Sequence, residues 1–139
     1  MKLTTDTNVL VSGTFWRGDS GRIVELIDIG KIELVLSEEL IEEYNEVINR
    51  EEIMDKMEKK NLILNESVQK IINDSTIVIP KQKVDVTIED PDDIIVLECA
   101  IEGKVDYIIT QDSHLLKLKE IKGIKILSPA ELLKTIENF

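Results

Sequence analysis

Aspartate residues follow two of the apolar segments that the sequence predicts to be strands. Asp6 comes directly after KLTT near the N-terminus, and Asp112 lies two residues beyond YIIT. If the two strands are neighbours in a parallel sheet, both carboxylates lie at the edge where sites form in open sheets. Each aspartate is equally suited to cap the helix that follows its strand, so this structural role stays open.

A third carboxylate is predicted to lie on the core side of a helix, in the segment EDPDDIIVLECAIEGK. Asp90 is suited to the N-cap and Pro91 to the first helical position. On a helical wheel Asp93 shares the row of Leu97, nearly opposite the polar strip, whereas Asp92 lies nearer its edge. Such a carboxylate is unfavourable unless it binds donors or a cation. The first-turn N–H groups and a metal ion are both candidates.

A fourth acid is selected within the segment SEELIEEYNEVINR, which predicts an amphipathic helix. Glu42 falls nearly opposite the apolar face and is expected to be solvated. Glu43 lies on the row of Leu40 and Val47, where its side chain can reach over a sheet edge. Most glutamates on such helices are solvated, so geometry leaves that alternative open for Glu43.

Four acids meeting at one edge would form an all-oxygen site, which suits Mg²⁺ or Mn²⁺. Two such ions roughly 3.5–4 Å apart activate a water and stabilise the leaving oxygen of a phosphodiester. The single histidine, His114, excludes a histidine-rich zinc site, and we expect it in a loop or at a helix start near the site. The single cysteine, Cys99, is expected to pack in a buried helix. Neither common glycine-rich phosphate-binding motif occurs.

Strand-like and helical segments alternate along the 139 residues. The strands are predicted at 2–5, 32–36, 76–79, 106–110 and 124–127, and the helical patterns at 21–30, 37–50, 51–60, 66–73, 92–103, 113–117 and 129–138. This order predicts an α/β fold, a three-layer α/β/α sandwich around a mostly parallel sheet of about five strands. Since no repeat or linker-like tract occurs, we expect one domain over 1–139.

The composition sets limits on location and partners. An apolar fraction of 42% with 32% charged residues is typical of a globular protein. Without a bilayer-length apolar run, an apolar leader or paired cysteines, we expect a cytoplasmic protein with no membrane contact. A net charge of −11 argues against coating nucleic acid through lysine and arginine. It is compatible with metal ions that meet phosphates, and with a basic protein partner.

Four motifs in order resemble the PIN-domain family, in particular the VapC-like toxin branch of prokaryotic toxin–antitoxin systems. They are DTNVLVSG, LSEELIEEYNEVI, DPDDIIVLECA and DYIITQDSHLL, and the closing GIKILSPAELL is similar to the last strand and helix of the family. The resemblance implies a PIN-like α/β/α sandwich with metal-dependent endoribonuclease activity. It also implies Mg²⁺ or Mn²⁺ as cofactor, a homodimer, and a small antitoxin as partner.

Carried over position by position, the resemblance makes Asp6, Glu43, Asp93 and Asp112 the catalytic and metal-binding acids. It implies that Asn8 supports the first acid and Thr110 the last.

Two positions depart from the family pattern. Thr4 and Thr5 stand where apolar residues are usual, which predicts a less buried or more polar first strand. Gln111 stands where glycine or a basic residue is common, which puts the shape of that turn in question.

Four basic residues are expected near the sheet edge, where they would guide the RNA backbone. They are Arg17, Arg22, Lys117 and Lys119.

Two other functions are compatible with the sequence. A non-catalytic PIN-fold regulatory or partner-binding domain is favoured by the acidic charge. A haloacid-dehalogenase-type phosphatase also begins with a strand-end aspartate but needs a second one two residues on, where this chain has Asn8, so this function ranks last.

Overall fold

Strands and helices alternate in the structure much as the sequence predicts. The computed structural model describes residues 1–15, 18–48, 59–84 and 90–137. Arg17, Asn138 and most of the predicted helical stretch 51–60 lie outside these ranges. In chain order the described elements are β1 (Lys2–Thr5), α1 (Thr7–Phe15), α2 (Asp19–Asp28), β2 (Glu33–Ser37), α3 (Glu38–Ile48), α4 (Lys59–Asp74), β3 (Thr76–Val78), α5 (Pro91–Gly103), β4 (Tyr107–Ile109), α6 (Ser113–Leu118), β5 (Glu120–Ile121), β6 (Ile124–Leu127) and α7 (Pro129–Glu137).

The strands of the described ranges form one sheet with the order β3-β2-β1-β4-β6-β5. All neighbouring strands are parallel except β5, which runs antiparallel to β6. In the centre, Leu3 of β1 pairs with Leu34 of β2 on one side and Tyr107 of β4 on the other. The predicted α/β/α fold is confirmed, with six strands instead of about five. Glu120–Ile121 was not predicted because two residues are too short to show an alternating pattern.

Helices cover both faces of this sheet. The chain passes from β1 to β2 and β3, then returns across the sheet to β4. Right-handed connections therefore place α1, α2 and α4 on one face, where they pack on each other and α7 packs on α2. They place α5 on the other face, where it lies against β1, β2 and β4. The loops that carry sites lie at the carboxyl ends of β1 and β4.

Helix α1 begins one residue after β1 and was not predicted. Its residues Val9, Leu10 and Val11 are all buried in succession, so the helix shows no amphipathic period. Two of them are also β-branched, which lowers helix propensity. In the described ranges no helix is long and apolar enough to cross a membrane.

The expectation that Thr4 and Thr5 make β1 less buried is wrong, because both side chains are completely inaccessible to solvent. The Thr4 hydroxyl lies 3.6 Å from the Sγ of Cys99 on α5, which satisfies it within the core. The Thr5 hydroxyl has no hydrogen-bond partner in the described part of the chain. Polar side chains are therefore accommodated in the central strand without opening it to solvent.

Candidate functional site

Asp6 is held at the junction of β1 and α1 by three kinds of hydrogen bond. Its backbone N–H donates to Ile109 O at 3.3 Å, which continues the pairing of β1 with β4. Its Oδ1 accepts from Val9 N at 3.0 Å and so caps α1, while its Oδ2 accepts from the hydroxyl of Thr110. The residue is 8% exposed, and burial raises the pKa of its carboxyl despite these hydrogen bonds.

Thr110 connects Asp6 to the acid at the end of the neighbouring strand. Its buried hydroxyl donates to the Asp6 carboxylate and accepts from Asp112 N at 3.0 Å. The Oδ1 of Asp112 accepts from His114 N at 2.7 Å and Leu115 N at 3.2 Å, which makes Asp112 the N-cap of α6. Both strand-end aspartates therefore cap helices, as the structural alternative foresaw. Capping leaves the second carboxylate oxygen of Asp112 available for another ligand.

Asp93 differs from these two acids because the helix start that carries it is satisfied by another residue. Asp90 caps α5: its Oδ1 accepts from Asp92 N at 2.9 Å, and its carbonyl accepts from Asp93 N at 3.1 Å. The Asp93 side chain is 8% exposed, and in the described residues its carboxylate accepts no hydrogen bond. Burial first, then the nearby Asp112 and Asp90 charges, raise the pKa of Asp93 to about 6. The alternative that Asp93 bonds its own first turn is therefore not seen.

Glu43 approaches the same group of acids from α3. It is half-buried, whereas Glu42 beside it is exposed, as predicted. Burial, then the Asp92 charge, raise the pKa of Glu43, and the charge of Asp6 adds to this. The hydroxyl of Thr7 lowers that pKa, although its geometry does not amount to a regular hydrogen bond within the described ranges.

Asp6 interacts electrostatically with each of the other three predicted acids, as the pKa values of Asp6, Glu43 and Asp93 show. The structure thus brings Asp6, Glu43, Asp93 and Asp112 to one edge of the sheet. As placed, however, no three histidine, cysteine, aspartate or glutamate side chains of the described residues stand close enough to hold a metal ion. The donor set fits a divalent cation in chemistry, since it is all oxygen and mutually repelling, with Asp6 and Asp93 buried and Glu43 and Asp112 half-buried. Its spacing is more open than a closed coordination shell.

Asn8 and His114 lie at helix starts beside this site. Asn8 is an exposed residue of the first turn of α1, and none of the Asp6 hydrogen bonds in the described ranges involves its side chain. His114 is exposed at the start of α6, as predicted, and its interaction with Asp93 lowers the pKa of that carboxyl. The support of Asp6 comes from Thr110 and Val9, and the implied role of Asn8 is not visible.

The basic residues do not form a cluster with the acids. Arg17 lies outside the described residues. Arg22 is exposed on α2 and pairs with Glu25 at 3.1 Å. Lys117 is exposed in the last turn of α6, and Lys119 follows that helix in a left-handed conformation with φ of 64° beside β5. Lys117 and Lys119 therefore lie in the last turn of α6 and directly after it, next to β5.

Sequence reasoning missed three contributors to the site. Asp90 and Asp92 add negative charge that raises the pKa of Glu43, and Asp90 does so for Asp93. The acidic run EDPDD was the available signal, but only Asp93 was selected from it. The hydroxyl of Thr7 gave no signal, because its position relative to Glu43 depends on how α1 packs on α3.

Comparisons with known proteins identify the class of fold and then the family. Residues 2 to 114 match the family model described as PIN domain. The match covers most of the chain, which therefore belongs to the PIN-domain family, as predicted. A search of curated proteins found no significant match.

Two solved structures share this fold at low sequence identity. One is a chain of VapBC2 from Rickettsia felis, in a crystal structure of VapBC2 bound to a DNA fragment from its promoter. This chain is 15% identical to it, with a TM-score of 0.59. That match covers 92% of this chain and 98% of the other. PAE2754 from Pyrobaculum aerophilum is 14% identical with a TM-score of 0.64, covering 100% of this chain and 91% of the other. These likenesses extend the PIN fold beyond residue 114, through the last strand and helix.

Proposed function

We propose that the protein is a Mg²⁺- or Mn²⁺-dependent endoribonuclease that hydrolyses RNA phosphodiester bonds. The observation that carries this proposal is the state of Asp93. The residue is buried, the pKa of its carboxyl is raised, its carboxylate accepts no hydrogen bond from the described residues, and it lies near Asp6 and Asp112. A nearby cation would favour the charged form of such a group. Membership in the PIN-domain family supports the same assignment.

Asp6, Glu43, Asp93 and Asp112 would hold the metal in this proposal. A bound divalent ion supplies an activated water and neutralises charge on the phosphate. The surrounding residues orient the acids: Thr110 fixes the Asp6 carboxylate, and the start of α6 fixes one oxygen of Asp112. These bonds use only one carboxylate oxygen of Asp112, and the carboxylate of Asp93 accepts no hydrogen bond from the described residues, so these oxygens would remain for an ion.

We further propose that the protein is the toxin of a toxin–antitoxin pair and acts in the cytoplasm, as a homodimer. The sequence resembles the VapC-like branch, and the fold is shared with a chain of VapBC2. The net charge of −11 suits an antitoxin with a basic segment. Induced expression of the wild type should arrest growth of a bacterial host, whereas Asp93→Asn should not. Arrest by both forms would show that toxicity does not depend on this site.

The experiment that tests the proposed activity uses substitutions that keep the helix caps. Asparagine caps helices about as well as aspartate, so Asp6→Asn and Asp112→Asn remove charge while preserving the acceptors of α1 and α6. Calorimetric titration with Mn²⁺ and a cleavage assay on mixed-sequence RNA should show binding and activity in the wild type and a loss of both in each variant. Circular dichroism checks that the fold persists. A wild type that binds no metal and cuts no RNA contradicts the proposal.

The second candidate is a non-catalytic PIN-fold domain that binds a regulatory partner. One observation favours it: Asp6 and Asp112 both cap helices, so these two acids would be required by the fold even without catalysis. Capping does not account for Asp93, whose carboxylate plays no part in the helix start. The Mn²⁺ titration separates the two functions, because a partner-binding domain has no need of a specific divalent site.

A further inference from the structure

A cleft of about 480 Å³ opens beside the candidate site, between the starts of α2 and α7. Its volume lies within the roughly 300–1,000 Å³ of ordinary ligand pockets. Gln111 lines this cleft and stands in the chain between Thr110 and Asp112. Gln111 thus connects the cleft to the candidate site through the chain, since its two sequence neighbours belong to that site.

The side-chain amide of Gln111 is fixed at the wall of this cleft by two serines. Its Nε2 donates to Ser20 Oγ at 3.3 Å, and its Oε1 accepts from Ser12 Oγ at 3.5 Å. An amide has two N–H donors and two acceptor lone pairs. Within the described residues these two bonds leave one N–H and one lone pair for a ligand. Gln111 is an exposed residue, and its Nε2 contacts Ser20, which is buried on α2.

The charged side chains that line the cleft favour a neutral ligand over a phosphate. Among its described lining residues there is no lysine or arginine, and Asp19 contributes a carboxylate. A phosphate would be repelled by this carboxylate. A nucleobase is neutral and carries adjacent donors and acceptors on its edges, which an amide side chain is suited to read. The polar wall of Ser12, Ser20 and Gln111 therefore matches a base.

We propose that this cleft binds a nucleobase of the RNA substrate next to the scissile phosphate, and that Gln111 reads the edge of that base. The inference rests on the proposed ribonuclease function, since it needs an RNA strand that crosses the acidic edge. The proposal gives the turn after β4 a role in base specificity, because Gln111 has a side-chain amide there, which a glycine would lack. The acids would hold the metal, and Gln111 would select which bond reaches it.

Fluorescence anisotropy of four labelled homo-oligoribonucleotides, one for each base, tests the inference by binding alone. The samples contain Ca²⁺, which takes the same kind of oxygen ligands, and their integrity is checked after each titration. The wild type should bind one base about tenfold more tightly than the weakest, the scale of a single good base contact. Gln111→Ala should remove this preference, and Gln111→Glu, which replaces a donor with an acceptor, should change its order.

Two further variants separate base reading from a purely structural role of Gln111. Ser20→Ala removes one of the two hydrogen bonds of the amide but leaves the amide itself, so it should keep the order of the base preference and reduce its size. Gln82→Ala changes an exposed glutamine that accepts from Lys122 and lies away from the cleft, so it should bind like the wild type. Equal binding of all four bases by the wild type, no binding at all, or an unchanged preference in Gln111→Ala overturns the inference. Failure of the ribonuclease proposal shows separately, as absence of RNA cleavage with Mn²⁺.

Discussion

The buried carboxyl of Asp93 should make the free energy of unfolding depend on pH. Its pKa is raised from 3.8 to about 6, so the folded state holds this proton more tightly than the unfolded state. The stabilisation is complete below the unfolded pKa and is lost as the pH rises toward about 6. Without metal, Asp93→Asn should flatten this part of the profile and raise the free energy of unfolding at pH 7 by about 1 kcal/mol.

Urea unfolding between pH 3.5 and 7.5 measures this effect, with EDTA present to remove metal. Glu42→Gln is the control, because Glu42 is exposed on α3 and its removal should leave the profile of the wild type unchanged. Added Mn²⁺ should stabilise the wild type at pH 7 and have little effect on Asp93→Asn. A wild-type stability that rises between pH 4 and 6 would contradict the assigned cause.

Thr110 gives a second prediction at this scale, because its hydroxyl contacts both strand-end acids. Thr110→Val keeps the β-branched shape but leaves the buried Asp6 carboxylate without this donor. The pKa of Asp6 should rise further, and the free energy of unfolding should fall by about 1–3 kcal/mol. Mn²⁺ affinity should fall about 10–100-fold, the usual effect of removing a partner that orients a metal ligand.

Calorimetric titration with Mn²⁺ and urea unfolding measure the two effects of Thr110→Val. Thr76→Val supplies the comparison, since Thr76 is exposed at the start of β3 and its change should stay within about 0.5 kcal/mol. Metal binding by Thr110→Val with the affinity of the wild type would show that this hydroxyl does not prepare Asp6 for a cation.

At the scale of elements, the close approach of α1 and α2 depends on Gly13. A Cβ atom at this position would lie 2.5 Å from Cγ2 of Val24, whose side chain is stiff at χ1. Gly13→Ala should therefore reduce the free energy of unfolding by about 1–3 kcal/mol through overpacking. The higher helix propensity of alanine, worth about 1 kcal/mol, offsets part of this loss.

A double variant checks the cause of the Gly13 effect. Val24→Ala makes room for the added methyl group, so Gly13→Ala should cost less in that background than in the wild type. Thermal unfolding of the two single variants and the double variant gives this coupling. Additive effects would mean that the two helices accommodate the methyl group in another way.

The predicted helices and strands show either a regular spacing of apolar residues or a helix-start signal. The elements that the sequence missed show neither. Amphipathic α3 and the Asp90–Pro91 start of α5 could be found from sequence because one face or one cap decides them. Helix α1 is buried over consecutive residues, and β5 has only two residues. The prediction that Thr4 and Thr5 make β1 less buried failed, because the helices packed on both faces of the sheet bury the central strand whatever the polarity of its side chains.

The candidate site was predictable in membership but not in geometry. Strand-end position selected Asp6 and Asp112, and helical periodicity separated Glu43 from Glu42 and Asp93 from Asp92 by burial. The distances among the acids depend on the packing of α1, α3 and α5 around one sheet edge. No local pattern encodes this packing, so neither the open spacing of the acids nor the Gln111 contacts could be read from the sequence.

At the scale of the whole molecule, the net charge of −11 is the feature that the proposed function must accommodate. An acidic protein attracts RNA poorly through its overall field. The charge at the carboxyl edge of the sheet becomes useful only if divalent ions neutralise it. RNA binding should therefore depend on divalent metal much more than binding by a basic protein does.

Asp93 is the acid whose position the fold explains least. Among the four acids, Asp6 and Asp112 cap helices and Glu43 is half-buried on a helix surface. Asp93 is buried, and its carboxylate has no structural partner in the described part of the chain. In the proposed function, binding a metal ion would give this residue a role that the fold alone does not.

The most direct measurement is Mn²⁺-dependent cleavage of one defined RNA by the wild type, Asp93→Asn and Glu42→Gln, each as a titration in metal at fixed RNA. Both variants lose one negative charge, but Asp93 is buried, whereas Glu42 is exposed on α3. The wild type and Glu42→Gln should cleave with similar metal dependence, and Asp93→Asn should be at least about 100-fold slower, since the proposed metal ligand is lost. No metal-dependent cleavage by the wild type, or equal rates for Asp93→Asn and the wild type, would contradict the account.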